Sequence, residues 1–377
     1  MRGGSSKGLF FKVEDLPEDL KLQDQVILAA YGSPDPYGRQ INGLGGATSV
    51  TSKVAIVGPR PGEKNAVNYT FGQVGITQPL VDRKGNCGNI SSAVGPFAID
   101  EGLVEEVEEP VTTVNIFNTN TGKYIIARVP VENGRAKVEG DYAIAGVPGT
   151  GAKICLDFMN PGGAVTGKLL PTGHAQDTLE TPYGHFNVSI VDAANPLVFV
   201  RAGDLGLSGT ELPAQVDGSP DLLARIEAIR AAAAVKIGLA ATPEEATAKS
   251  PAVPKIAWVA PPRDYTMTSG LTMKAGDIDL LARTMSMGRL HAAYAITGAI
   301  CTAGAAKIPG TVVEEALSPA ARAAPVVRIG HPGGDLAIEV EMRVEAGHLE
   351  YVRGTAFRTA RRLMEGWVLV PEECYSK

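Results

Sequence analysis

The sequence predicts an α+β protein of two similar lobes, each a strand-rich sheet around a central helix, with the active site in the cleft between them. Its 377 residues include 44 Gly and 26 Pro but only 6% aromatic residues, a composition typical of many tight turns between short strands. Apolar and polar residues alternate in YIIARVPV (124–131) and LAIEVEMRV (336–344), which is the period of half-buried strands. An internal repeat supplies the division into two lobes.

The repeat consists of similar segments that occur in the same order in both halves of the chain. The matched pairs, in order, are GLFFKVEDL (8–16) with PLVFVRAGDL (196–205), a helical pattern around Gln25–Tyr31 with one over Asp221–Val235, SKVAIVGPR (52–60) with PKIAWVAPP (254–262), and the Gly-rich strand-to-helix junctions GNCGNISSAVG (85–95) with AITGAICTAGA (295–305). Because chance rarely preserves such an order, we predict an N-terminal lobe over residues 1–182 and a C-terminal lobe over 183–377. We also expect the extreme C-terminus to pack back on the N-terminal lobe.

Composition excludes several classes of function. A net charge of −6 without a run of basic residues argues against nucleic-acid binding. The four cysteines lack CxxC spacing and the five histidines are dispersed, so we expect neither a disulfide scaffold nor a metal site. The opening MRGGSSKGLFF has no signal-peptide pattern, and the apolar stretch 292–306 is short enough to be a buried helix. We therefore expect a cytoplasmic protein without membrane contact.

The segment GNCGNISSAVGPF (85–97) carries the most chemistry. Its glycines let backbone N–H groups approach a ligand, and a helix that begins there offers unsatisfied donors to an anion. A thiol at a helix N-terminus is also more readily ionised than an ordinary one. The alternative interpretation is a structural cysteine in a tight turn.

Several motifs together resemble the PrpF-like family, which includes 2-methylaconitate isomerases, 4-oxalomesaconate tautomerases, methylitaconate isomerases and aconitate Δ-isomerases. They are MRGGSSKG (1–8), GLGGATSVTSKVAIV (43–57), GNCGNISSAVGPFAI (85–99), TGKLLPTG (166–173), VSIVDAANP (188–196), and PGGDLAIEV (332–340) followed by GTAFRTARRLMEG (354–366). The resemblance implies a diaminopimelate-epimerase-like fold. It also implies cofactor-free movement of a C=C bond in a small di- or tricarboxylic acid. The sequence of residues 69–99 resembles the methylaconitate members of the family more than the tautomerases.

The resemblance also implies two catalytic residues. The family's catalytic lysine and cysteine are 34 positions apart, the spacing of Lys53 and Cys87. A lysine acts as a base only in its neutral form, which burial favours. The alternative for Lys53 is a solvated lysine at the end of a strand. Its repeat counterpart Lys255 lacks the serine-rich context, so we interpret it as structural.

Donors for the substrate carboxylates are predicted around both junctions. The candidates are Arg2, Ser5, Ser6, Ser49, Ser52, Gly88, Asn89 and Ser91 in the first lobe and His291, Thr297 and Gly298 in the second. Each serine or asparagine alone is more often a cap or turn residue. Arg2 is equally compatible with anchoring its strand, and His291 with being a buried, hydrogen-bonded histidine.

The first hypothesis is thus an isomerase of 2-methylaconitate or aconitate, with oxalomesaconate or methylitaconate as alternatives. A racemase of the same fold is disfavoured, because the repeat places Thr297 or Ile296 opposite Cys87, with Cys301 about a turn later. The alternative from another class is a non-catalytic accessory protein that binds an aconitase-like dehydratase. A small polycarboxylate is the expected partner, no cofactor is expected, and a homodimer is left open.

Overall fold

This computed structural model describes residues 1–83, 85–286, 288–345 and 348–375. The chain forms two compact units. The first comprises Met1–Asp157 with Phe357–Lys377, and the second comprises Phe158–Ala356. Both combine strands with short helices, so the predicted α+β class is confirmed.

The strands of the first unit are mostly short. They are β1 (Arg2–Gly3), β2 (Ser6–Lys12), β3 (Lys53–Pro59), β4 (Ala66–Val74), β5 (Val81–Asp82), β6 (Val111–Asn118), β7 (Lys123–Glu132), β8 (Arg135–Ala136), β9 (Tyr142–Ala143), β10 (Thr150–Gly151) and β11 (Ile154–Met159), of which the last two residues belong to the second unit. Its helices are α1 (Leu20–Tyr31), α2 (Gly88–Ser91) and α3 (Val94–Asp100).

The second unit contains the longer hairpins. Its strands are β12 (Asp177–Thr181), β13 (Gly184–Ala193), β14 (Asn195–Arg201), β15 (Lys255–Ala260), β16 (Tyr265–Thr266), β17 (Thr272–Met273), β18 (Leu280–Ser286), β19 (Arg289–Leu290), β20 (Val326–His331), β21 (Gly334–Glu345) and β22 (His348–Arg358), whose end passes into the first unit; β23 (Ala360–Arg361) follows there. Its helices are α4 (Pro213–Asp217), α5 (Pro220–Lys236), α6 (Pro243–Lys249), α7 (Ile296–Ala305), α8 (Val312–Glu315) and α9 (Pro319–Ala323).

The two units share one strand order, which confirms the repeat. In the first, β2–β3 is parallel, β3–β4 antiparallel, β4–β6 parallel and β6–β7 antiparallel. In the second, β14–β15, β15–β18, β18–β20 and β20–β21 follow the same alternation. The matched lysines occupy equivalent places: Gly8 is the partner of Lys53, and Leu197 is the partner of Lys255.

Burial explains why these segments become strands and helices. The body of β3 is buried on both faces, as expected for a strand inside a mixed sheet covered by helices. Val26, Ile27 and Tyr31 of α1 pack with Val54 and Ile56 in one core cluster. The apolar stretch after residue 292 forms α7, whose ten residues are all buried, so the prediction of a buried helix is confirmed.

The unit boundary differs from the predicted one. The predicted division near Pro182 lies in the turn of the β12–β13 hairpin, where Thr181 pairs with Gly184 inside the second unit. A hairpin with a continuous ladder cannot be divided without breaking its hydrogen bonds. The segment after residue 357 belongs to the first unit, where Arg361 pairs with Arg2. In the described part of the chain, every helix is too short or too polar to cross a membrane.

Candidate active site

Lys53 is the first residue of β3, and its side chain is buried. Its Nζ donates to Gln73 Oε1 at 2.6 Å and lies 5.2 Å from the centre of the Phe71 ring. Lys53 and Gln73 are direct partners in the β3–β4 ladder, so their side chains project from the same face. Among the described residues, no carboxylate forms an ion pair with Lys53. The amine is therefore held by a neutral acceptor.

The backbone at Lys53 is fixed from two sides. The Tyr31 hydroxyl donates to the carbonyl oxygen of Lys53 and accepts the N–H of Leu9 at 2.8 Å. On the neighbouring strand stands Gly8, where an added Cβ would lie 2.1 Å from the carbonyl oxygen of Lys53. The close approach of β2 to β3 at this point therefore requires glycine.

The two predicted donor serines before Lys53 both have contacts that organise the chain around it. Ser52 is fully buried, and its hydroxyl donates to Gln40 Oε1 at 2.7 Å. Ser49 is exposed, and it contributes its backbone carbonyl to Gln73 Nε2 at 3.1 Å, as Ser52 does at 2.8 Å. These serines thus hold Gln73 and Gln40 in place.

Cys87 is a half-buried residue at the N-cap position of α2. Its carbonyl oxygen accepts both the N–H and the hydroxyl of Ser91, each at 3.0 Å, and Ser92 Oγ donates to Asn89 O at 2.6 Å. The helix predicted to begin here does begin at Gly88. The α-helix ends after four residues, however. Ser92 and Ala93 form a tighter helical turn, in which their N–H groups donate to Asn89 O and Ile90 O, before α3 begins at Val94.

Asn89 is held in one orientation by two donors. Its Oδ1 accepts Arg358 Nε at 3.2 Å and the N–H of Ser5 at 3.5 Å. The turn before Ser5 is tight against it, because a Cβ on Gly4, whose φ is +52°, would lie 2.3 Å from Asn89 Oδ1. With its oxygen engaged, Asn89 directs its NH₂ group elsewhere, as a carboxylate donor must.

The remaining N-terminal candidates divide into anchors and lining residues. Arg2 donates through Nη1 to Gly4 O at 2.8 Å and Thr359 O at 2.9 Å, which matches the strand-anchoring alternative. Partial burial, and secondarily the charge of Arg361, lowers its pKa. Ser6 is buried beside this turn, where it pairs with Gly3 across β1 and β2. The turn therefore brings Ser5, Ser6 and Asn89 together.

The second unit contains the other predicted residues. His291 is half-buried, and its Nδ1 accepts the N–H of Ala293 at 3.0 Å. Thr297 and Gly298 lie in the buried first turn of α7, which has no side-chain cap. Further along α7, burial raises the pKa of the Cys301 thiol far above its usual range, and the thiol donates to Val191 O at 3.2 Å. Cys301 is thus a neutral core residue.

Four residues near the candidates were missed by sequence reasoning: Gln73, Phe71, Tyr69 and Arg358. The first three occupy alternate positions of β4, in YTFGQ, and only this period-2 spacing signals that they share a face. Burial raises the pKa of Tyr69 well above its usual value, and the neighbouring Cys87 acts in the same direction. The Tyr69 hydroxyl makes no hydrogen bond of good geometry within the described residues.

Metal-binding side chains do not cluster in the described part of the chain. Across residues 1–83, 85–286, 288–345 and 348–375, no three His, Cys, Asp or Glu side chains are grouped so that they could hold a metal ion.

Comparison with known proteins confirms the resemblance. The model of the family described as PrpF protein matches residues 1–371. The 3-methylitaconate isomerase of Eubacterium barkeri is 53% identical over 371 residues, covering 98% of this chain and 96% of that protein. The 2-methyl-aconitate isomerase of Shewanella oneidensis is 43% identical over 383 residues, covering 99% and 96%.

A solved structure agrees. The crystal structure of a methylitaconate-delta-isomerase has a TM-score of 0.84 and 51% sequence identity, with coverage of 100% of this chain and 95% of that one. The fold and the enzyme class are therefore shared along the whole length compared. This chain is an isomerase that belongs to the PrpF family.

Proposed function

We propose that this isomerase moves a C=C bond within a small unsaturated di- or tricarboxylic acid by allylic 1,3-proton transfer, without a cofactor. The observation that carries the proposal is the buried Lys53 amine, which is held by Gln73 Oε1 and has no ion-paired carboxylate among the described residues. A buried amine without an anionic partner suits an anionic substrate, and it can act as a base when neutral.

Lys53 is the proposed base. It takes a proton from the allylic carbon, and the electrons of that C–H bond form a dienolate conjugated with a carboxylate. The proton then returns to the far allylic carbon, so that the double bond has moved and no atom is gained or lost. A carbon acid of this kind needs stabilisation of its developing negative charge.

Donors for that charge are proposed at the start of α2. The first N–H groups of a helix have no intrahelical partner, which leaves those of Gly88 and Asn89 available. The Asn89 NH₂ group is directed away from the two donors that engage its oxygen. Cys87 is the proposed second group of the site, a proton donor or an orienting contact rather than a covalent nucleophile, since the reaction needs no acyl or alkyl intermediate.

Two substrates are the leading candidates. The first is 2-methylaconitate or the related aconitate, which is favoured by the resemblance of residues 69–99 to the methylaconitate members of the family. The second is 3-methylitaconate, which is favoured by the 53% identity to the isomerase of that name, against 43% for the methylaconitate enzyme. The first pair are tricarboxylic acids and the second is dicarboxylic, so their relative rates also report how many carboxylates the site accommodates.

Proton NMR in deuterated water tests the proposal directly. The protein is incubated with 2-methylaconitate, trans-aconitate, 3-methylitaconate and 4-oxalomesaconate in turn, with and without prior dialysis against a chelator. We expect deuterium to enter an allylic position of one acid, together with a shifted double bond, and the rate to survive dialysis. If an acid binds by calorimetry but none exchanges, the chain acts as the accessory protein of the alternative hypothesis and the enzymatic proposal fails.

A further inference from the structure

We propose that Gln73 is a positioning residue that holds the Lys53 amine in place through a neutral acceptor and so keeps it available as a base. The inference deepens the proposed function and rests on it for the role of Lys53. Nothing in the sequence motifs pointed to Gln73, whose importance follows from the β3–β4 register that makes it the direct partner of Lys53.

The orientation of the Gln73 amide is determined by its own donors. Nε2 donates to the backbone carbonyl oxygens of Ser49 at 3.1 Å and Ser52 at 2.8 Å. A flipped amide would place its oxygen against these two carbonyl oxygens, which cannot donate. Oε1 is therefore turned toward Lys53 Nζ, 2.6 Å away. Three hydrogen bonds hold the side chain, so the position of the amine follows from the backbone of residues 49–52.

The neutrality of this acceptor has a chemical consequence. An amide oxygen accepts from a lysine amine whether the amine is charged or neutral, whereas a carboxylate at the same place would strongly favour the ammonium form. Glutamate has nearly the same shape as glutamine but cannot donate, so Gln73→Glu adds a charge beside the amine and also removes the two bonds to the carbonyl oxygens of Ser49 and Ser52. A glutamate at position 73 would convert the base into half of an ion pair.

Three titratable groups lie on the elements packed against this end of β3. They are Lys7 of β2, which precedes the ladder partner of Lys53, Tyr31 of α1, whose hydroxyl bonds the backbone of Lys53, and Asp82 of β5, the ladder partner of Gln73. Asp82 stands beyond Gln73 from Lys53 in the sheet order β3–β4–β5. Gln73 thus occupies the ladder position between Lys53 and Asp82. Two acidic groups near the other parts of β3 have partners of their own. Glu14 accepts from Lys12, and Asp100 accepts the N–H of Ala136 and lies near Arg362. Asp15 follows Glu14 in the same short helical turn.

The test compares Gln73→Glu with the wild type in two measurements. The first is the pH–rate profile of isomerisation or deuterium exchange. The second is the pH dependence of Lys53 labelling by an amine-reactive reagent, quantified by peptide mass spectrometry. We expect Gln73→Glu to move the acid limb of kcat and the labelling midpoint upward by about one pH unit or more. Below the limb, this shift lowers kcat about tenfold at fixed pH while KM changes less.

Asn68→Asp is a matched control on the same strand. Asn68 Oδ1 also accepts a hydrogen bond from a cationic side chain, Arg60 Nη1 at 3.0 Å. This variant therefore adds the same charge to β4, but beside Arg60 rather than beside Lys53. It should leave both profiles unchanged. Gln73→Met removes the acceptor and both donors without adding charge. It should lower kcat while KM changes less, without the upward shift of the labelling midpoint, so it decides the positioning role if Gln73→Glu does not fold.

The outcomes separate this inference from the proposed function. If the wild-type protein exchanges deuterium and Gln73→Glu leaves both profiles in place, the inference is overturned and the function stands. If no acid is exchanged at all, the function fails and the labelling measurement alone decides: a shifted midpoint supports the positioning role and an unshifted one overturns it.

Discussion

The hydroxyl of Tyr31 donates to the backbone carbonyl oxygen of Lys53 and accepts the N–H of Leu9. One side chain of α1 thus joins β2 to β3 at the residue that carries the proposed base. Tyr31 itself is fully buried in the core cluster around Ile27, Val54 and Ile56. The helix before β3 therefore contributes to the position of Lys53 through the backbone.

A comparison of two tyrosine variants tests the importance of this link. Tyr31→Phe removes the hydroxyl from one buried and one partly buried backbone group and should reduce the free energy of unfolding by about 1–3 kcal/mol. Tyr69→Phe removes a buried hydroxyl that has no well-formed hydrogen bond and should cost less than about 0.5 kcal/mol. Urea denaturation of both variants measures the difference. Equal losses would mean that the Tyr31 bonds contribute nothing specific.

Replacing the proposed base should abolish turnover while the fold is retained. Water replaces a positioned base poorly, so Lys53→Ala should lose a factor of about 10² to 10⁴ in kcat. Steady-state kinetics with the acid identified by deuterium exchange measures the loss, and circular dichroism checks the fold. Lys255→Ala is the matched control, because Lys255 holds the equivalent ladder position in the second unit. If Lys53→Ala kept more than about a tenth of wild-type kcat, Lys53 would not be the base.

Cys87 should contribute to activity without forming a covalent bond to the substrate. Cys87→Ser keeps a proton-bearing group at the N-cap of α2, so this variant should retain measurable activity, and Cys87→Ala should retain less. Intact-protein mass spectrometry of the wild type with substrate should show no adduct. A stoichiometric thioether would show that the thiol attacks the substrate and would overturn this expectation.

Asn89→Asp should weaken substrate binding without disturbing the local structure. The aspartate retains an oxygen for Arg358 and Ser5 but replaces the NH₂ donor with a second anionic oxygen. Charge-assisted hydrogen bonds contribute about 1.5–3 kcal/mol, so KM should rise about tenfold or more. Calorimetry with a monoamide of the substrate extends the test, because the variant should discriminate less between acid and amide than the wild type does. An unchanged KM would remove Asn89 from the binding site.

The stability of the second unit should decrease in acid through Glu211. Burial alone would raise the pKa of Glu211, but donation from Trp258 Nε1 and from the hydroxyl and N–H of Ser208 outweighs it and lowers the pKa below the usual 4.5. The stabilisation is therefore complete above about pH 4.5 and is lost as pH falls through the lowered pKa.

Glu211→Gln should accordingly lower the melting temperature at neutral pH. The difference from the wild type should become smaller as the pH falls below about 4.5, because the stabilisation from the charge is lost as the wild-type carboxylate takes up a proton. Differential scanning calorimetry across this range measures it, with exposed Glu18→Gln as the control. A difference that stays constant with pH would show that the charge of Glu211 does not stabilise the fold.

Much of the fold could be predicted from the sequence because it repeats. The pairing of GLFFKVEDL with PLVFVRAGDL, and of Lys53 with Lys255, reappears as two parallel pairs in equivalent registers. The length and small residues of the apolar stretch 292–306 predict a buried helix, and α7 confirms it. The turn at Pro182 was misleading, because a hairpin turn and a boundary between units have the same local composition.

The candidate site was predictable only in part. Ser52 is predicted as a carboxylate donor because it flanks Lys53, yet its hydroxyl donates to Gln40. The sequence also did not signal that the helix after Cys87 stops at Ser91. Both features depend on which partners the folded chain brings to these hydroxyl and carbonyl groups.

The sequence by itself determined the family, the two-fold repeat and the spacing of Lys53 and Cys87, because these are properties of residue order. Only the tertiary structure decided which side chains contact each other in the site. Gln73 is opposite Lys53 because of the β3–β4 register, and Arg358 reaches Asn89 across 269 positions of chain. Ladder registers and chain returns result from the packing of whole strands, so no local pattern around either residue encodes its partner.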